Sequence, residues 1–172
     1  ADDLRIVASI KPVHSLVAGV TEGVAKPVLL LKGSASPHSH ALAPSDAAAL
    51  ESADVVFWVG ESFELFLTRT IETLADDTTV IALAQSPGLT LYERRAGGLW
   101  EDEDHDHDVD EGNYDGHVWL DPRNAAVMVN RIAEVLSDLD PANSDIYQSN
   151  ARRLVDQLAK LDADIEQTLQ PV

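Results

Sequence analysis

Along the first half of the chain, short runs that are apolar at every position alternate with longer stretches in which apolar residues return every third or fourth place. The runs at 4–8, 28–31, 55–59 and 80–83 predict strands. Lys11-Pro12 opens a helical pattern that places Val13, Leu16, Val17 and Val20 on one face. Pro44-Ser45-Asp46 supplies a first-turn proline and an acid for a second helix that continues through Ala47 to Leu50, and 62–74 predicts a third. Strands without a polar face need cover on both sides, so the pattern predicts an α/β fold: a four-stranded parallel sheet with helices on both faces. Such sheets bind ligands beyond the carboxyl ends of their strands. Function is therefore to be sought in the loops after Ala8, Leu31, Val59 and Leu83.

The pattern breaks at Ser86. Residues 85–116 read as a flexible acidic loop in which Glu101, Asp102, Glu103, Asp104, His105, Asp106, His107 and Asp108 follow one another. Order is expected again at His117-Val118-Trp119-Leu120, and Asp121-Pro122 has the form of a cap and first-turn proline before a helix over 124–139. After Pro141, residues 143–169 keep one amphipathic pattern with Leu154, Leu158, Leu161 and Ile165 on a stripe, enough for ~40 Å of helix. That is more apolar surface than one small lobe can cover. The expected organisation is a lobe over 1–140 and a long helix over 141–172 that would join a second lobe absent from the chain. The uncovered stripe offers a route to self-association.

Composition narrows the chemistry. Thirty acids against twelve bases give a formal charge of −18, which repels nucleic acid and anionic lipid and suits either a cationic ligand or simple solubility. With no cysteine, a bound metal would have to use imidazole and carboxylate ligands. Trp58, Trp100 and Trp119 lack the interleaved basic residues of a nucleic-acid platform, so Trp58 and Trp119 are assigned to core or pocket wall. No phosphate-cradling glycine loop with a lysine, nucleophile elbow or His-Glu-x-x-His helix occurs. The chain opens with Ala1-Asp2-Asp3 just ahead of its first strand, as an exported protein does after signal removal.

Two of the six histidines fall on the predicted functional edge: His38 after the second strand, and His117 where order returns. Neutral imidazoles suit zinc, and two of them from separate loops make half a tetrahedral site, although a lone loop histidine is ordinarily just solvated. His40 has the spacing of an auxiliary or supporting residue, although a solvent-exposed loop residue is the plainer reading. His14 lies inside the first helix as a structural histidine. Glu61 and Glu64 follow the third strand, where a carboxylate can accept an imidazole N–H or simply favour a helix start.

The motifs Ser9-Ile10-Lys11-Pro12, Gly33-Ser34-Ala35-Ser36-Pro37-His38, Pro44-Ser45-Asp46, Ala53-Asp54 with Trp58-Val59-Gly60, the acidic insert and His117-Val118-Trp119-Leu120-Asp121-Pro122 occur in one order. Together they resemble the zinc and manganese substrate-binding proteins of ABC importers, the cluster A-I group, and most closely its high-affinity zinc members. The resemblance spans nearly the whole chain. It implies a non-enzymatic periplasmic protein that captures Zn2+ and delivers it to the membrane permease of an ABC importer. It also implies two lobes joined by a rigid helix, with this chain supplying the first. The first two ligand histidines of that group fall on His38 and His117, and its remaining ligands lie in the second lobe. His105 and His107 take the place of an auxiliary metal-gathering loop, for which a solvated acidic loop is the plain alternative. A manganese-binding member is one alternative. A metal-dependent hydrolase with Glu61 as its base is another.

Overall fold

The computed structural model describes residues 4–32, 42–74, 77–93 and 114–170. Four parallel strands, β1 (Ile6–Ala8), β2 (Val28–Leu29), β3 (Val55–Trp58) and β4 (Thr79–Ala82), form one sheet in the order β2-β1-β3-β4. The central pair is aligned through Ile6 with Val55, Val7 with Val56 and Ala8 with Phe57. Because successive side chains of a strand point to opposite faces, the two central strands feed two cores. Ile6, Ala8, Val55 and Phe57 pack beneath α1 (Lys11–Val20), α4 (Pro122–Leu139) and α5 (Ser144–Leu169). Val7, Val56 and Trp58 pack with Leu50 of α2 (Pro44–Glu51) and Leu67 of α3 (Leu65–Ile71). Both faces are therefore covered, as the all-apolar runs require.

Several elements are shorter than their apolar runs, each for a local reason. β1 starts two residues late because the carboxylate of Asp54 takes the backbone N–H of Arg5 at 2.7 Å and its guanidinium at 2.6 and 3.1 Å. Beyond β2, Leu30 and Leu31 still donate to the carbonyls of Ala8 and Ser9, so this edge segment follows the ladder to its carboxyl end. α3 begins at Leu65 rather than Ser62 because the residues after β3 form a tight turn. α4, by contrast, starts two residues ahead of the expected 124, on Pro122, with Asp121 accepting the N–H of Arg123 at 2.8 Å as a cap.

The strand order fixes where a ligand can sit. From β1 the chain steps outward to β2 under α1, then crosses back over β1 to β3 and on to β4, with α2 and α3 on the other face. The connections leaving β1 and β3 diverge to opposite faces, which opens the sheet's carboxyl edge between these two strands. At the far end of the lobe, α5 is anchored by the buried Tyr147 and Ala151, and Leu154 and Leu158 are partly buried against the core. Leu161, Ile165 and Leu169 on the same helix are exposed.

Candidate metal centre

The turn after β3 builds the floor of the site. Gly60 has φ of 142°, a conformation that disfavours any side chain, and its carbonyl accepts the N–H groups of Phe63 and Glu64 at 3.1 and 3.0 Å. Glu64 turns inward and is fully buried. Its Oε2 accepts the N–H of Val59 at 2.6 Å and that of Gly60 at 3.4 Å. Its Oε1 and the nearby Ser9 hydroxyl, both buried, lack a well-formed hydrogen bond. Burial pushes this carboxyl up to about 7 from an ordinary 4.5, against the opposing pull of the Ser9 hydroxyl and the Val59 and Gly60 N–H groups.

Phe63, also buried, carries the floor outward. Its ring meets those of His117 and Trp119 edge to face, at centroid distances of 5.0 and 4.9 Å. Gly116 permits this approach, since a Cβ there would lie 2.8 Å from Phe63 Cδ2.

The wall bearing His117 is held from three directions. Glu93 and Tyr114 pair as an antiparallel bridge, and the N–H of Asp115 donates to the Tyr92 carbonyl at 2.7 Å. The Tyr114 hydroxyl lies 2.6 Å from Ser62 Oγ. Asn124 of α4 bonds both the N–H and the carbonyl of Thr90, each at 2.8 Å. Below the wall, burial works to raise Asp121, but its side-chain and backbone hydrogen bonds from Arg123, with the Tyr92 hydroxyl, hold it below the usual carboxylate range. His117 itself is half-exposed, and Asp115 Oδ1 contacts both its Nδ1 at 2.7 Å and its backbone N–H at 3.0 Å.

His117 thus stands on the carboxyl rim, beside the floor that follows β3. His38, His40, His105 and His107 lie outside the described residues. The chain leaves the described part just after Leu31, whose N–H still bonds the Ser9 carbonyl at that same edge. Glu61 is exposed and lines a cavity of about 300 Å³ with Ser62, Gln85 and Tyr114, while the Nδ1 contact of His117 goes to Asp115. His14 is half-buried, with Nε2 3.1 Å from the Pro27 carbonyl, as expected of a structural histidine. Among the described residues no three histidine or acidic side chains converge to hold a metal. Sequence reading missed Asp115 and the depth of Glu64. An acid two residues before a histidine in an extended segment is the pattern of an Asx turn, and that pattern could have identified Asp115.

The fold and its rim define a doubly wound α/β lobe whose ligand side is the carboxyl edge. Residues 6–172 match the family described as ZnuA, zinc-uptake complex component A, periplasmic, and the chain belongs to that family. It is 38% identical over 195 residues to the high-affinity zinc uptake system protein ZnuA of Brucella abortus, a match covering 97% of this chain and 58% of that one. The ZnuA protein of Yersinia pestis is 36% identical over 180 residues, with 97% and 56% covered. A crystal structure of a zinc-bound ZnuA deletion mutant superposes with a TM-score of 0.82 at 27% identity, covering 99% of this chain and 60% of that one. The periplasmic zinc-binding protein TroA of Treponema pallidum shares the fold, with a TM-score of 0.79 at 20% identity and coverage of 98% and 56%. The chain spans a little over half the length of the relatives it matches.

Proposed function

We propose that the chain is the amino-terminal metal-binding lobe of a periplasmic protein that captures zinc and delivers it to the membrane permease of an ABC importer. Residues 1–140 form the lobe and 141–172 the helix leading to a second lobe. His38 and His117 are the zinc ligands contributed here, His105 and His107 gather metal on the acidic insert, and His40 and Glu61 support the site. No bond is made or broken: the chemistry is exchange of zinc between water and imidazole. Proton and metal compete for the same nitrogens, so affinity falls with pH as histidines protonate.

The observation that carries this reading is the position of His117 on the carboxyl rim beside Phe63. The segment bearing His38 departs from the same rim after β2, which only β1 separates from β3. Two strand spacings amount to about 10 Å, a gap that two side chains reaching toward one ion can close. The zinc named for the relatives, the −18 charge and the exposed outer turns of α5 agree with it.

Zinc calorimetry on the chain tests the reading. With two of its ligands the chain should bind zinc more weakly than a two-lobe protein; His117→Ala and His38→Ala should each weaken that binding at least tenfold, and the double variant should remove it. Undiminished binding in the double variant would place the metal elsewhere. Anomalous scattering at the zinc edge from crystals grown with equal zinc and manganese separates the zinc reading from its manganese alternative.

A further inference from the structure

We propose that Asp115 is the positioning residue of this centre: it fixes the tautomer and ring orientation of His117 so that Nε2 is the atom presented to a divalent metal. The inference rests on the zinc reading above and adds to it a residue and an atom.

The geometry is specific. One oxygen, Asp115 Oδ1, contacts the backbone N–H and the ring Nδ1 of the same residue, at 3.0 and 2.7 Å. A carboxylate has no proton to give, so the short ring contact requires the proton on Nδ1, and in the neutral imidazole this leaves Nε2 with its lone pair. Gripping one residue by both its main chain and its ring also restricts the turn of the imidazole about its side-chain bonds. Phe63 stands edge to face against that imidazole at 5.0 Å and limits it from another side.

Asp115 is itself fixed, because its N–H donates to the Tyr92 carbonyl at 2.7 Å and its neighbour Tyr114 is bridged to Glu93. Partners of this kind, bonded to the far nitrogen of a metal-binding histidine, hold the ring and raise its basicity. The pair is more than half exposed on the Asp115 side, and exposed pairs contribute little to folding. Its effect should therefore appear in ligand affinity rather than in melting.

Two readouts on the complete chain test this. In the metal-free protein, long-range proton–nitrogen NMR should show His117 protonated at Nδ1. Asp115→Ala should shift His117 toward the Nε2–H tautomer, and Asp115→Asn, which retains an acceptor oxygen, should preserve the Nδ1–H form. With zinc added, Asp115→Ala should weaken binding by about 10- to 100-fold with unchanged melting, and Asp115→Asn should recover most of that loss. An unaltered tautomer in Asp115→Ala overturns the proposal. So does a shifted tautomer with unchanged zinc affinity, provided His117→Ala does weaken binding. If His117→Ala leaves zinc affinity intact, the metal centre itself has been misassigned, an outcome the metal-free tautomer measurement keeps separate.

Discussion

Two carboxylates border one aromatic cluster in opposite surroundings. Glu64, the chain neighbour of Phe63, is fully buried and ties down the end of β3. Asp115, whose side chain is 56% exposed, holds the imidazole that packs on Phe63. Solvent, more than residue type, decides what each of these acids does. Sealed under the sheet edge, a carboxyl retains its proton to about pH 7 and serves the fold. At the rim, with water available, a carboxylate serves as an acceptor for a neighbouring imidazole.

Phe63 joins the two regions, and removing it should have the largest effect. Phe63→Ala is expected to destabilise the lobe by about 3–5 kcal/mol in urea unfolding and to weaken zinc binding as well. A loss below about 1 kcal/mol would mean that floor and rim are independent, since a well-packed buried ring is worth several times that.

Glu64→Gln isolates the buried acid. The native carboxyl titrates near 7 and its unfolded counterpart near 4.5, so between those values the folded state binds the extra proton. Its stabilising contribution is complete below about pH 4.5 and is lost as pH rises through 7, amounting to about 3 kcal/mol. Melting curves from pH 5 to 8 should show wild type losing that increment while Glu64→Gln does not. Parallel slopes for the two proteins would contradict the assignment.

Gly116→Ala probes the contact between floor and rim from the other side. Its new Cβ would meet Phe63 Cδ2 at 2.8 Å and Cβ at 3.1 Å, so a destabilisation of about 1–3 kcal/mol is expected. The smallest effect belongs to an acid outside both regions. Asp54, held below the usual carboxylate range chiefly by its side-chain hydrogen bond to Arg5, sits in a pair that is 62% and 35% exposed. Replacing Arg5 by Met should change stability by no more than about 1 kcal/mol, and less in high salt.

Much of the fold was legible in the sequence because burial on two faces leaves strands no polar position. Val55, Val56, Phe57 and Trp58 announce β3 by that rule alone, and Asp121-Pro122 announces the start of α4. The start of α3 was not legible. Residues 62–64 have helical composition, but the N–H groups of Phe63 and Glu64 turn back onto the Gly60 carbonyl, a tight turn that positions Glu64 inward. The rim was half legible. The family motif pointed to His117, whereas Asp115 reads first as the last acid of an acidic run, and only its place two residues ahead of His117, the spacing of an Asx turn, sets it apart.

The bridge between Glu93 and Tyr114 has a consequence for how such chains can vary. It places the two ends of the intervening segment side by side, so the number of residues between them is decoupled from the geometry of the wall that follows. Doubling the length of a closed loop adds only about 0.6 kcal/mol of entropy. Insertions, deletions or wholesale exchange between those two positions should leave the neighbouring histidine where it stands, which makes this junction a natural grafting point.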